Sequence, residues 1–171
     1  GCRLLIEIGG LTGGHSGAEI DKGRANANCL LGRLIHFCRK KGDVRFMSVE
    51  GGSADNAIPS ASRAELFAEL DNCADLEDSL GQLEKILQRE YTVTDSGIRI
   101  RVLEKGQGEW EVFTEESTKK AEMLLFMMPN GIQSMSVDIS GLVQTSLNLG
   151  ILRTEGREVE LDYSVRSSVM S

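Results

Sequence analysis

The sequence predicts an α+β fold, a two-layer sandwich in which helices cover one face of a mainly antiparallel sheet. Short segments of strand character, either continuously apolar or alternating, recur along the chain, two longer segments repeat apolar residues at the helical period, and a third helix is marked by its capping signals. Short turns join them, which favours antiparallel neighbours over long parallel crossovers.

Residues 2–8 form an apolar run of strand character, and the glycine-rich segment 9–17 is a turn. A helix is expected over residues 18–41, where Ile20, Ala27, Leu30, Leu31, Leu34, Ile35 and Cys38 recur at helical spacing and Gly42 stops the run. His36 lies off the centre of that stripe and receives no role. Residues 43–50 alternate through Val44 and Phe46 as a strand, and residues 60–70 read as another. The second helix spans 74–91, with Leu76, Leu80, Leu83, Ile86 and Leu87 on one side. Over 98–103, Ile98, Ile100 and Val102 alternate with Arg99 and Arg101, as in a half-exposed strand, and residues 110–113 pair nearby. Thr114 opens a third helix with Glu115 and Glu116 in its first turn, and Pro129-Asn130-Gly131 ends it. Residues 132–171 are strand-like, and 142–152 and 157–166 form an antiparallel hairpin about Thr154-Glu155-Gly156.

With 171 residues, 40% hydrophobic and 26% charged, the chain fits one domain able to bury its own core. A net charge of −7 without a basic cluster argues against nucleic acid, because Arg39-Lys40-Lys41 is a helix end. No apolar run reaches the ~20 residues of a membrane span and no signal peptide is legible, so the expectation is a cytoplasmic protein away from membranes. Cys2, Cys29, Cys38 and Cys73 lack the spacing of a zinc site and are expected as buried thiols rather than disulfides. The glycine turn has neither a following Gly-Lys-Ser/Thr nor the dinucleotide fingerprint, which disfavours a nucleotide site.

Five glycines stand among residues 9–17 and present a single histidine in Gly13-Gly14-His15-Ser16-Gly17. Such a turn either lets a ligand come close to the imidazole or is only flexible and solvated. A second turn, Gly51-Gly52-Ser53-Ala54-Asp55-Asn56-Ala57-Ile58-Pro59, follows, and then Met128-Pro129-Asn130-Gly131 through Thr145-Ser146-Leu147-Asn148-Leu149-Gly150. In this order the three segments resemble the aminoacyl-histidine dipeptidases (Xaa-His dipeptidase, peptidase D) of the two-zinc metallopeptidase group. The resemblance covers nearly the whole chain. It is to the lid, or dimerisation, domain inserted into the catalytic domain of these enzymes, and it implies a ferredoxin-like core with extra strands.

By that resemblance residues 1–171 are a single lid domain excised from a larger hydrolase, and the abrupt start in a strand agrees with this. The implied cofactor is a pair of zinc ions whose ligands lie outside this chain, so the chain alone is expected to bind no metal and to be inactive. The implied partners are an Xaa-His dipeptide such as carnosine and a second copy in a homodimer. His15 corresponds to the family's donor to the oxyanion of the tetrahedral intermediate. Asn56 corresponds to the residue that binds the substrate backbone near its carboxylate, against the alternative of an asparagine capping its own turn. The family's carboxylate-clamping arginine is missing from its usual place, since Glu69 and Leu70 stand there and Arg63 is too early. Arg166 is the candidate instead, the alternative being an arginine on an exposed strand face. The competing function is a non-enzymatic oligomerisation or small-ligand domain whose glycine turn is purely structural.

Overall fold

In a computed structural model, which describes residues 1–168, the chain is built on nine strands and three helices. They are β1 (Cys2–Gly9), β2 (Gly14–His15), α1 (Ala27–Arg39), β3 (Val44–Gly51), β4 (Ala57–Ile58), β5 (Ser62–Ala68), α2 (Cys73–Glu90), β6 (Arg99–Gln107), α3 (Glu115–Met127), β7 (Gly131–Met135), β8 (Val143–Glu155) and β9 (Glu158–Ser167). The main sheet runs β6-β1-β5-β3-β8-β7, with β9 along β8, and each of its pairings is antiparallel. Its first four strands, with α1 and α2, make a β-α-β-β-α-β unit in ferredoxin-like order. The edge of β3 is covered by β8, and α3 lies against α1.

Strand alternation sorts the faces. Leu4, Ile6 and Ile8 of β1, with Ala64 and Leu66 of β5, are buried with Leu30, Leu31, Leu34, Leu76, Leu83 and Leu87 of the helices. Burial of each large aliphatic side chain there contributes about 1.5–3 kcal/mol. The opposite face carries ion pairs: Glu7 takes Arg63 at 2.9 Å and Arg101 at 2.7 Å, and Arg3 pairs with Glu65.

Several expectations need correction. The first helix begins at Ala27, nine residues later than expected, because Gly23 takes a left-handed φ of 67° and Asn26 caps the helix by accepting from the N–H groups of Asn28 and Cys29. Residues 20–22 form only a short 3-10 turn. Residues 110–113 are not a strand; they reach β3 through one bond, Phe113 N–H to Phe46 O at 2.9 Å, and an edge-on contact of the two rings. The strand expected over 98–103 runs from Arg99 to Gln107. The strand-like tail contains β7 as a separate strand, its hairpin turns at Gly156 and Arg157, and its last three positions lie outside the described residues.

The cysteines divide. Cys29 and Cys38 are free, and burial pushes both thiols up to about 12. Contrary to expectation, Cys2 and Cys73 form a disulfide, with 6.2 Å between their Cα atoms. The sheet register explains it: Cys2 lies opposite Ala68, the end of β5, and the chain then turns directly into α2, whose first residue is Cys73. A separation of 71 residues gave no sign of that proximity.

Candidate functional site

The glycine turn leaves β1 and is gripped at both ends by one carboxylate. Asp95, buried in the loop after α2, accepts the Thr12 N–H on Oδ1 and the Ala25 N–H on Oδ2, each at 2.8 Å. Between those anchors Gly13 and Gly14 take φ of 67° and 140°, and a Cβ on Gly14 would stand 2.5 Å from Glu19 and Arg24. Glycine there lets β2 turn inward and pair with β4, setting His15 opposite Ala57. Glu19 fixes the strand from below: its Oε2 accepts the His15 N–H at 2.8 Å, and its own N–H donates to His15 O at 2.9 Å. Arg24 bridges Glu19 Oε1 at 2.8 Å and Gly13 O at 2.7 Å. The His15 amide, and then Arg24, hold the Glu19 carboxyl below the usual carboxylate range.

The His15 ring itself is exposed and oriented. Its Nδ1 accepts from the N–H of Gly17 at 3.0 Å and of Ala18 at 3.3 Å. Two donors aimed at Nδ1 leave the neutral ring one tautomer, with the proton on Nε2. His15 therefore offers an Nε2–H donor to solvent.

Asn56 sits one residue before β4, across the small sheet from His15, and its carbonyl accepts the Ser16 N–H at 2.9 Å. Its carbonyl neighbours on both sides are clasped by Asn148, whose Nδ2 donates to Asp55 O and to Ala57 O, each at 2.8 Å. The loop reaches β8 because residue 150 is glycine: a Cβ there would lie 2.4 Å from Asp55 Cα. Among the described residues the exposed Asn56 side chain has no hydrogen-bond partner, so it is not spent on capping its own turn.

Arg166 comes from the other end of the chain. In the hairpin it lies opposite Ser146, and Ser164 lies opposite Asn148, so Ser146, Asn148, Ser164 and Arg166 share one face. That face meets the His15 turn, where the Arg166 guanidinium lies within about 3 Å of the place a Gly17 Cβ would occupy. The structure thus gathers His15, Asn56 and Arg166 around residues 15–17. Asp95 and the asparagines Asn26, Asn130 and Asn148 were given no role from sequence. Asn26 Nδ2 donates to Asn148 Oδ1 at 3.2 Å and Leu149 O at 3.0 Å, while Asn130 Oδ1 accepts the Leu149 N–H at 2.8 Å. Asn130 and Asn148 were visible only as motif letters, and Asn26 was hidden inside a helix drawn too long.

The remaining histidine is structural: His36 Nδ1 lies 2.7 Å from Glu122 and its ring stacks on Phe126 at 4.0 Å. Among the described residues no group of three or more His, Cys, Asp or Glu could hold a metal ion. These side chains can donate hydrogen bonds and bind an anion, and they do not fit a metal centre. Among the described residues no helix is long and apolar enough to cross a membrane.

A family model described as "Peptidase dimerisation domain" matches residues 6–95. The chain is 30% identical over 97% of its length to the cytosol non-specific dipeptidase of Escherichia coli (strain K12), spanning 34% of that protein. The crystal structure of aminoacylhistidine dipeptidase from Vibrio alginolyticus superposes with a TM-score of 0.90 at 30% identity, over 98% of this chain and 34% of that one. The chain therefore spans about a third of the length of these relatives.

Proposed function

The chain belongs to the peptidase dimerisation domain family, and from that premise we propose that it is the lid domain of a two-zinc, cytosolic dipeptidase that hydrolyses Xaa-His dipeptides. The observation that carries the reading is the convergence of an outward Nε2–H on His15, a free carboxamide on Asn56 and an unpaired guanidinium on Arg166. Further support comes from two relatives that are dipeptidases, one of them named for aminoacylhistidine substrates. Bound zinc supplies the hydroxide and the Lewis acid for such cleavage. Its ligands are assigned to the part of the enzyme outside this chain, so the isolated domain is inactive.

Each of the chain's own residues has a distinct task. His15 donates from Nε2 to the substrate carbonyl oxygen and strengthens that bond as negative charge develops. Asn56 both accepts from and donates to the substrate backbone. Arg166 pairs with its terminal carboxylate through two parallel N–H bonds. In the complete enzyme, His15→Ala is expected to lower kcat about a hundredfold to a thousandfold, with KM little changed, because the lost bond belongs to the transition state. Arg166→Ala raises KM instead. Steady-state kinetics on an Xaa-His dipeptide checks both, and an unchanged kcat in the His15 variant sinks the reading in favour of a purely structural turn.

Association with a second copy is the remaining part of the proposal. Among the described residues β7 has a free outer edge, and the surface about it is apolar: Val137 is 94% exposed, Met127 69% and Ile139 59%. Of the other edges, β6 carries Arg99, Arg101 and Lys105 and β9 carries Glu158, Glu160 and Asp162, charges that discourage pairing. We assign the contact to β7 and the end of α3. Light scattering on Val137→Glu should show a loss of dimer, and a dimer that survives it excludes this surface.

A further inference from the structure

We propose that Gly17 is a positioning residue for the substrate clamp, its bare Cα seating the Arg166 guanidinium while its N–H holds the His15 ring. The proposal rests on the lid-domain reading above. Most arginines elsewhere in the molecule are located by anions: Arg3, Arg39, Arg63 and Arg101 each grip a carboxylate. Among the described residues the Arg166 guanidinium has neither an ion pair nor a hydrogen bond, so its place is set by packing.

The packing is against Gly17. A Cβ built there would stand 2.8 Å from Arg166 Cζ, 3.0 Å from Nη1 and 3.1 Å from Nε. Three nearly equal distances mean that the guanidinium plane lies flat across the Gly17 backbone. The N–H donors lie in that plane, so the seat orients them without using any of them. Any side chain at position 17 fills the seat. The same residue donates its N–H to His15 Nδ1 at 3.0 Å. A single glycine therefore sets the oxyanion donor with its amide and the carboxylate clamp with its missing Cβ, and ties two residues from opposite ends of the chain to one frame.

A methyl group at position 17 separates these two duties, because it blocks the seat and keeps the N–H. In the complete enzyme, Gly17→Ala is expected to raise KM for an Xaa-His dipeptide about tenfold and leave kcat within about twofold, the scale of a lost charged contact. Arg166→Ala raises KM at least as far. The Gly17→Ala/Arg166→Ala double variant raises it no further than Arg166→Ala alone, because both changes remove the same contact. Nitrogen-15 spectra of His15 in the Gly17→Ala chain should still show the Nε2–H tautomer.

An unchanged KM in Gly17→Ala beside a raised KM in Arg166→Ala overturns the seating role and leaves the lid-domain reading intact. An unchanged KM in Arg166→Ala removes the clamp itself, and this proposal with it. Additive effects in the double variant, or a changed His15 tautomer, also overturn the proposal, since they mean that the methyl group disturbs the turn as a whole.

Discussion

The His15 turn and the Asn56 turn lie side by side, joined through β2 and β4, yet they are held by opposite chemistry. The first presents backbone N–H groups inward, at Thr12 and Ala25, and is clasped by the acceptor-only carboxylate of Asp95. The second presents carbonyls inward, at Asp55 and Ala57, and is clasped by the donor end of the Asn148 carboxamide. Each clasp spans both ends of a short loop that carries a side chain facing outward. The polarity of the buried backbone, more than the shape of the loop, dictates which of two nearly isosteric residues can serve.

Swapping the two residue types breaks the comparison most sharply, because it changes no volume. Asn148→Asp sets a buried carboxylate against two carbonyl oxygens and is expected to cost about 3 kcal/mol or more in chemical denaturation at neutral pH. Burial beside acceptors raises the pKa of the new carboxyl, so the loss deepens as pH rises and shrinks in acid. Asp95→Asn is the milder exchange, since one oxygen remains, and should cost about 2 kcal/mol. Hydrogen exchange then distinguishes the loops: Asp95→Asn should expose the Thr12 and Ala25 amides and leave that of Ala57 protected. Equal loosening of both turns would mean that they form one cooperative unit and that the comparison does not hold.

Acid provides the smallest perturbation and acts on one side only. Glu19 has its folded carboxyl held below the ordinary range by the His15 amide and Arg24, so its contribution is present above the unfolded pKa and is lost as pH falls through the lower, folded one. The Asn56 loop has no ionisable clasp. On titration below the ordinary carboxylate range, the amide resonances of Gly13, Gly14 and His15 are expected to shift before those of Ala57 and Ile58. Because the Glu19 side chain is 34% exposed, solvent screening keeps the accompanying stability change small. Simultaneous shifts of both groups would assign the acid response to the fold at large.

Legibility from sequence followed the range of the interaction. The apolar period of Leu76, Leu80, Leu83 and Leu87, the apolar run of β1 and the alternation along β3 and β6 placed helices and strands, since these patterns are local. His15 and Asn56 are candidates on motif and resemblance, and Arg166 on the chemistry of its side chain at the end of the last strand. The first helix was drawn too long because Ile20 keeps period with Leu30 and Leu34, while the signals that exclude it, a left-handed Gly23 and the cap at Asn26, are single residues. Asp95 had no pattern at all, for a carboxylate that accepts two distant backbone amides looks in sequence like any turn aspartate.

By itself, then, the sequence determined the three helices, the long strands between them and the two glycine turns, because helical period, strand alternation and glycine's backbone freedom each act within a few residues. Only the tertiary structure decided what those elements bring together. The register of β1 against β5 joined Cys2 to Cys73. The placement of β8 along β3 delivered Asn148 to the Asn56 loop, and the pairing of β9 with β8 laid Arg166 across Gly17. Those meetings depend on strand register and sheet order, which are settled by the packing of the whole core rather than by any short stretch of chain.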